Sequence, residues 1–228
     1  MIKMETVQEI LQQFDIFNTL KESELGLLSR QAVNKKMEKG EALVLQGDNW
    51  PYFFLVLDGE LVALKESIEG RNLVITTFRK GDVFWGSSFF QDDAPQLATL
   101  QANAPTVVLL WSRKRIEPVF KQNGELSWKL CQMMMLRMQR ASAIVNDLAF
   151  LSVSSRLAHL LLENFSNNGE ESMERSLTLD DMAARIGTTR EMVCRVLYRF
   201  ADKNFIKVTR TEFVLTDREG LSGIVECK

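Results

Sequence analysis

The chain has 228 residues, of which 46% are hydrophobic and 25% charged, with a formal net charge of −2 and a pI near 5.7; this is the composition of a globular protein with room for one large or two ordinary domains. Its longest apolar runs, such as Phe53–Leu57 and Val107–Trp111, are far too short to span a bilayer, which excludes a helical membrane protein. Three widely spaced cysteines, Cys131, Cys194 and Cys227, give neither a disulfide framework nor a CxxC metal site, and with a single histidine no nucleophile–base pair, paired carboxylates or metal cluster emerges, so an enzyme is disfavoured.

The first fifteen residues carry Lys3, Glu5 and Glu9 and no unbroken apolar segment of the signal-peptide kind, so a cytoplasmic protein without membrane association is expected. Residues 5–33 have a helical pattern. From about Met37 to Trp111 the chain becomes a series of short apolar runs, ALVL, YFFLVL, LVAL, LVITTF and VVLLW, punctuated by turn residues at Gly40, Gly47–Pro51, Asp58-Gly59, Glu69-Gly70, Gly81-Asp82 and Asn103–Pro105. Short strands at such spacing predict an antiparallel β-roll or barrel.

No glycine or proline occurs from Glu125 to Phe165, and Leu130, Met134, Met138, Ala141, Val145 and Leu148 recur at helical spacing. A second apolar set, Met133, Leu136, Ala143 and Ile144, lies off that stripe. A helix apolar on two faces needs two neighbours; the roll supplies one, and the same helix of a second subunit is the expected other. Residues 166–172 are polar and predict a loop. In LTLDDMAARIG, Thr178 is placed to cap a helix with Asp181 three residues on, and Gly187 to stop it. Ala183, Gly187 and Val193 have the spacing of a helix-turn-helix.

The second helix of that motif, projected at 100° per residue, has a core face of Thr189, Val193, Val196, Leu197 and Phe200 and an opposite face of Arg190, Glu191, Cys194, Arg195, Tyr198, Arg199 and Asp202. Residues 181–210 hold seven basic and three acidic residues, a local +4 in a chain of −2, which suits a phosphate backbone. Arginine can bond guanine bidentately and a carboxylate can accept from cytosine. FIKVTRTEFVLTD then predicts a β-hairpin, and a hairpin behind a recognition helix makes a winged helix-turn-helix.

GEALVLQGD, FFLVLDGELVAL, FRKGDVFWG, NDLAFLSVSSRLAHLLL and TTREMVCRVL together resemble, in this order, the CRP/FNR family of bacterial transcription regulators over nearly the whole chain. The resemblance implies an α+β protein: a jelly-roll-like antiparallel β-roll sensing domain with N-terminal helices (1–123), a dimerisation helix and hinge (124–150) and a winged helix-turn-helix DNA-binding domain (151–228). It implies a homodimer on a palindromic operator, double-stranded DNA and RNA polymerase as partners, and Thr188, Thr189, Arg190, Glu191, Arg195, Arg199 and Lys203 at the DNA. Arg190, Glu191 and Arg195 would read a TGTGA-type half-site, and Leu130, Met134, Met138, Ala141, Val145 and Leu148 would form the dimer interface. The alternative function is a sensing or interaction module whose helix-turn-helix contacts protein rather than DNA.

The effector pocket implied by the family falls on Phe84, Trp85, Gly86, Ser87, Ser88, Gln96, Leu97, Ala141 and Ser142. Members that bind cyclic AMP carry a G-E-L-x-x-x cassette followed by an Arg-Ser pair; here Gln96-Leu97 stands where Arg-Ser is expected and Ala141-Ser142 replaces the Thr-Ser of the dimer helix. A cyclic nucleotide is therefore disfavoured, because a buried phosphate needs a guanidinium. A flatter, less anionic small molecule or no ligand is expected. No cysteine precedes Cys131, which argues against an iron–sulfur cluster, and the only histidine, His159, lies beyond the hinge, so haem would need other ligands.

Overall fold

The computed structural model describes residues 4–168, 172–174, 177–209 and 211–226. Its contacts divide the chain into two compact units, residues 1–65 with 76–140 and residues 66–75 with 141–228. Among the described residues no helix is long and apolar enough to cross a membrane.

The first unit opens with α1 (Met4–Gln12), a 3-10 turn (Asp15–Phe17) and α2 (Glu22–Gln31). Eight strands follow: β1 (Val33–Met37), β2 (Ala42–Val44), β3 (Tyr52–Asp58), β4 (Glu60–Glu66), β5 (Asn72–Arg79), β6 (Val83–Trp85), β7 (Thr99–Ala102) and β8 (Thr106–Ser112). They form two four-stranded sheets ordered β1-β8-β3-β6 and β2-β7-β4-β5. The five apolar runs of the sequence are all strands. The sequence reading passes over β1, β6 and β7, because β1 is mostly polar and the others are only three and four residues long.

Strand β3 explains why YFFLVL shows no alternation: both its faces are buried. Phe53, Leu55 and Leu57 join a cluster with Leu11, Phe17, Leu28 and Trp111, where the Trp111 indole N–H donates to the Leu28 carbonyl at 2.8 Å. Phe54 points the other way, 5.2 Å from the Phe78 ring. Two helices complete the framework: α3 (Arg113–Gln122) and the 27-residue α4 (Gly124–Phe150), whose residues from 141 on belong to the second unit.

The second unit contains α5 (Val153–Asn168), β9 (Ser172–Glu174), α6 (Leu179–Ile186), α7 (Arg190–Asp202), β10 (Ile206–Val208), β11 (Glu212–Leu215) and α8 (Arg218–Glu226). The α4–α5 break is a capping device: Ser152 Oγ accepts the Ser155 N–H at 3.0 Å. Leu157, Leu161, Phe165, Met182, Val193, Val196, Phe200 and Phe213 form the core. The predicted hairpin is β10–β11, extended by β9 to the order β10-β11-β9. Part of the predicted 166–172 loop is therefore corrected. Ser166, Asn167 and Asn168 continue α5, and Ser172 begins a strand whose backbone pairs with β11; residues 169–171 lie outside the described residues.

Candidate DNA-binding site

The helix-turn-helix is built by three local devices. Thr178 Oγ1 accepts the Asp181 N–H at 3.1 Å while the Asp181 carboxylate accepts the Thr178 N–H at 2.9 Å, the capping box expected from the sequence. Gly187 ends α6 at φ +65°, a left-handed conformation that favours glycine, and a Cβ there would lie 2.7 Å from Leu148 Cδ2, so that side chain would have to move aside. Thr189 then caps α7, its Oγ1 accepting the Met192 N–H at 3.3 Å.

This α7 buries Val193, Val196, Leu197 and Phe200 and exposes Arg190, Glu191, Arg195, Tyr198 and Arg199, as the helical projection anticipates. The exposed residues are not equivalent. Arg190 pairs with Asp180 at 3.2 Å, both side chains facing solvent, where such a pair is weak and exchangeable. Arg199 donates to Ser154 Oγ at 3.1 Å, and Lys203 Nζ sits 5.8 Å from the Phe205 ring. Among the described residues Arg195 has no hydrogen-bonding or ion-pair partner. The Glu191 carboxyl is held below its ordinary range, chiefly by its own backbone N–H at the helix start and then by the Thr189 hydroxyl, with Arg190 adding to the effect. Thr188 and Thr189 are half-buried in the turn.

Cys194 departs from the projected face. It is half-buried and lines a cleft of about 610 Å³ between α7 and the hairpin, together with Leu197, Tyr198 and Ile206. His159 is an ordinary helix residue, half-exposed and 4.0 Å from Glu163.

Arg156 is the positioning residue that sequence reasoning missed. Its guanidinium donates to the Ile186 carbonyl at 2.8 Å and to the Leu151 carbonyl at 2.8 Å, tying the end of α6 to the α4–α5 break. The available signal is an arginine beside the apolar Leu157-Ala158 pair, but the bonds it makes are non-local.

Comparison with known proteins agrees with this architecture. Residues 34–123 match the cyclic nucleotide-binding domain and residues 155–224 the Crp-like helix-turn-helix domain. The CRP-like cAMP-activated global transcriptional regulator of Mycobacterium tuberculosis is 22% identical over 221 residues, 95% of this chain and 98% of the relative. The cAMP-activated global transcriptional regulator CRP of Salmonella typhimurium is 26% identical over 184 residues, covering 78% and 87%. A solved transcriptional regulator of the CRP/FNR family from Eubacterium rectale superposes with a TM-score of 0.77 at 20% identity, covering 94% of this chain and 99% of that one. The c-di-GMP responsive global regulator CLP of Xanthomonas campestris gives 0.77 at 16% identity, covering 86% and 99%.

The chain belongs to the CRP/FNR family. It is a transcription regulator of that type rather than an enzyme, and among its described residues no group of His, Cys, Asp and Glu could hold a metal ion.

In this CRP/FNR regulator the segment aligned with the phosphate cassette is closed on itself. The Gln96 side chain is buried and accepts the Ser87 N–H at 3.2 Å; Ser88 Oγ donates to the Ala94 carbonyl at 2.9 Å and accepts the Trp50 N–H at 3.0 Å. Gly86 is pressed against Trp50, whose carbonyl oxygen would be 2.0 Å from an added Cβ. Phe84 and Trp85 are stacked at 5.3 Å. Leu97, by contrast, is 68% exposed and so is not a buried pocket wall. Ala141 and Ser142 are exposed and belong to the second unit, the cassette residues to the first. A cation unforeseen in the sequence lies beside the cassette: Arg137 donates to Asp82 Oδ1 at 3.2 Å and to the Val83 carbonyl at 3.1 Å, its guanidinium 4.7 Å from the Phe78 ring centroid and 5.2 Å from that of Phe84.

The stripe assigned to the dimer interface also needs correction at one end. Leu130 is 7% exposed and packs with Leu126 in the first unit's core; the roll takes this side of α4. Met134 is half-buried, whereas Met138, Ala141, Val145 and Leu148 are exposed.

Proposed function

We propose that this regulator is a homodimer that binds a palindromic operator with a TGTGA-like half-site through α7, in three functional parts spanning residues 1–123, 124–150 and 151–228, and that RNA polymerase is its further partner. The observation carrying this reading is the row of Arg190, Glu191 and Arg195 on the first turns of a capped, amphipathic helix, the part of a recognition helix that meets base edges. Arg195 has no competing partner among the described residues, and the exposed Arg190–Asp180 pair can exchange a carboxylate for a base or phosphate at little cost. Arg199 and Lys203, farther along the helix, have the charge for backbone phosphates, and Thr188 and Thr189 stand at its opposite, amino-terminal end.

Its effector, if it takes one, is not a cyclic nucleotide: Gln96 is occupied by the Ser87 N–H and Arg137 by Asp82. Haem and an iron–sulfur cluster have no histidine or cysteine set to hold them in the β-roll.

Anisotropy titrations of palindromic and scrambled duplexes test the reading. Arg190→Ala, Glu191→Ala and Arg195→Ala should each cost roughly 1–3 kcal/mol on the operator and relax preference at one base pair. Lys203→Ala should weaken all duplexes about equally and reduce the salt slope by about one. Equal, sequence-independent losses in all four variants would remove the base-reading assignment, and failure to bind any duplex would favour protein contact by the helix-turn-helix.

A further inference from the structure

The face of α4 turned away from the roll carries a second pattern. Leu126 and Leu130 are buried in the core, Met133 packs against it, and Arg137 is bonded to Asp82. Outside that row stand Trp128 at 66% exposure, Cys131, Met135 and Met138, spaced 3, 4 and 3, and the series continues in sequence at Ser142, Val145 and Ala149. This is an unbroken a/d heptad repeat beginning with Trp128 at a, the spacing by which one helix packs along another.

The flanking positions say what the partner is. The e positions are Gln132, Gln139 and Asn146, and the g positions Ser127, Met134, Ala141 and Leu148. None of these is charged, so two copies of the helix laid parallel place no like charges against each other along the seam from Trp128 onward; the charged flanking residue is Glu125, at the e position of the preceding turn beside Gly124. Two charged residues of the helix are engaged elsewhere, Lys129 donating to the Asp15 carbonyl at 2.7 Å and Arg137 to Asp82, and Arg140 and Asp147 fall at f positions, away from the seam. A self-complementary, uncharged seam fits a second copy of this chain.

In a parallel pair an a residue is a knob entering the hole formed by the preceding d and g residues and the following a and d residues of the other helix. For Trp128 that hole is Gly124, Ser127, Trp128 and Cys131 of the second copy. Gly124 and Ser127 also border an open cleft of about 540 Å³ walled by Phe89, Phe90 and Phe120. Phe90 is 66% exposed. At the rim, Arg113 pairs with Asp92 and Glu117, and Glu117 with Lys121 at 2.7 Å, so the charges are mutually neutralised. A Cβ added to Gly124 would meet nothing within 4 Å, which leaves the mouth of the cleft clear.

We infer that Trp128 of each copy inserts into the Phe89–Phe90–Phe120 cleft of the other, making a reciprocal aromatic lock at the amino-terminal end of the α4 pair. The inference rests on the homodimer of the proposed function and adds to it the partner residue, the receiving site and the register. Two identical insertions follow from the two-fold axis, since whatever one copy offers the other also receives.

Sedimentation equilibrium of the full chain, with near-ultraviolet circular dichroism to check folding, tests it. Trp128→Ala should raise the dimer dissociation constant at least about thirtyfold, the scale of a central aromatic anchor, and Trp128→Phe should restore much of the affinity. Gly124→Leu should leave the protomer's spectrum and melting unchanged, because the space is empty there, yet weaken the dimer to a similar degree by filling the mouth of the cleft. If wild type and both disruptive variants dimerise within twofold of one another, the lock is wrong while the dimer stands. Loss in Trp128→Ala without loss in Gly124→Leu would likewise overturn it, by placing the ring elsewhere. A wild type monomeric at micromolar concentration overturns the homodimer itself and the lock with it.

Discussion

Thr189 does two jobs with one hydroxyl. It caps α7 by accepting the Met192 N–H, and it is the second-largest influence holding the Glu191 carboxyl below its ordinary range, after that residue's own backbone N–H. A carboxylate whose folded pKa is depressed adds stability that is present above its unfolded pKa and disappears as the pH falls through the folded value. Glu191 is therefore an anion throughout the neutral range and an acceptor for a cytosine amino group in the proposed readout. Replacing Thr189 with Ala should cost about 1 kcal/mol of unfolding free energy at neutral pH, the usual loss for a threonine cap. It should also move the Glu191 titration midpoint upward toward ordinary glutamates, observable by NMR of the side-chain carboxyl. A midpoint that stays put would mean that the backbone N–H alone sets it.

Among the elements, α6, α7 and the hairpin were the most legible in the sequence, because their determinants are local: the Thr178–Asp181 box, the left-handed Gly187 and an apolar face of period 3.6. Strands β1, β6 and β7 were not, since they are short or polar and are specified by their sheet partners; β1, for example, runs its full length beside β8. The orientation of α4 was half legible. The spacing of Leu130, Met134 and Met138 marks a helix, but only tertiary packing reveals that Leu130 belongs to the roll while Met138 is exposed. What joins these elements was hidden altogether, because Arg156 bonds to carbonyls five and thirty residues away. Arg156→Met should leave the Leu151 and Ile186 carbonyls without their donor and lower the unfolding free energy by about 1–3 kcal/mol, measured by urea denaturation. Arg156→Lys should recover less than half, since a single ammonium cannot reproduce the two-pronged guanidinium. Full recovery by lysine would show that charge alone matters there.

At the scale of the whole molecule, charge and ligand chemistry are separated along the chain. A net −2 coexists with +4 in residues 181–210, so attraction to DNA is concentrated in one segment, and affinity should fall steeply with salt despite the acidic pI. The β-roll presents the opposite case. Its fold matches a cyclic nucleotide-binding domain over residues 34–123, yet Gln96 spends its carbonyl on Ser87, and Arg137 lies over Phe78 and Phe84 with Asp82 as counter-ion. For a cyclic phosphate to use Arg137 it would have to displace Asp82 and find hydrogen-bond donors where Leu97 stands; burial already pushes the Arg137 guanidinium below its usual range. On the proposed function the Arg137 cation is thus already satisfied by Asp82 and two aromatic rings, and DNA binding independent of cyclic nucleotide is the expected outcome. Thermal unfolding with ligand measures this. A dissociation constant of 1 mM or weaker yields at most about 0.4 kcal/mol of stabilisation at 1 mM cyclic AMP, or roughly 1 °C for a chain of this size. A 10 μM site would give about 2.7 kcal/mol and a shift of several degrees. The expected result is no more than about 1 °C with cyclic AMP or cyclic GMP, together with operator binding by protein purified free of nucleotide. A larger shift, or operator binding that appears only when cyclic AMP is added, would mean that Arg137 leaves Asp82 to grip the phosphate and that the closed cassette opens on binding.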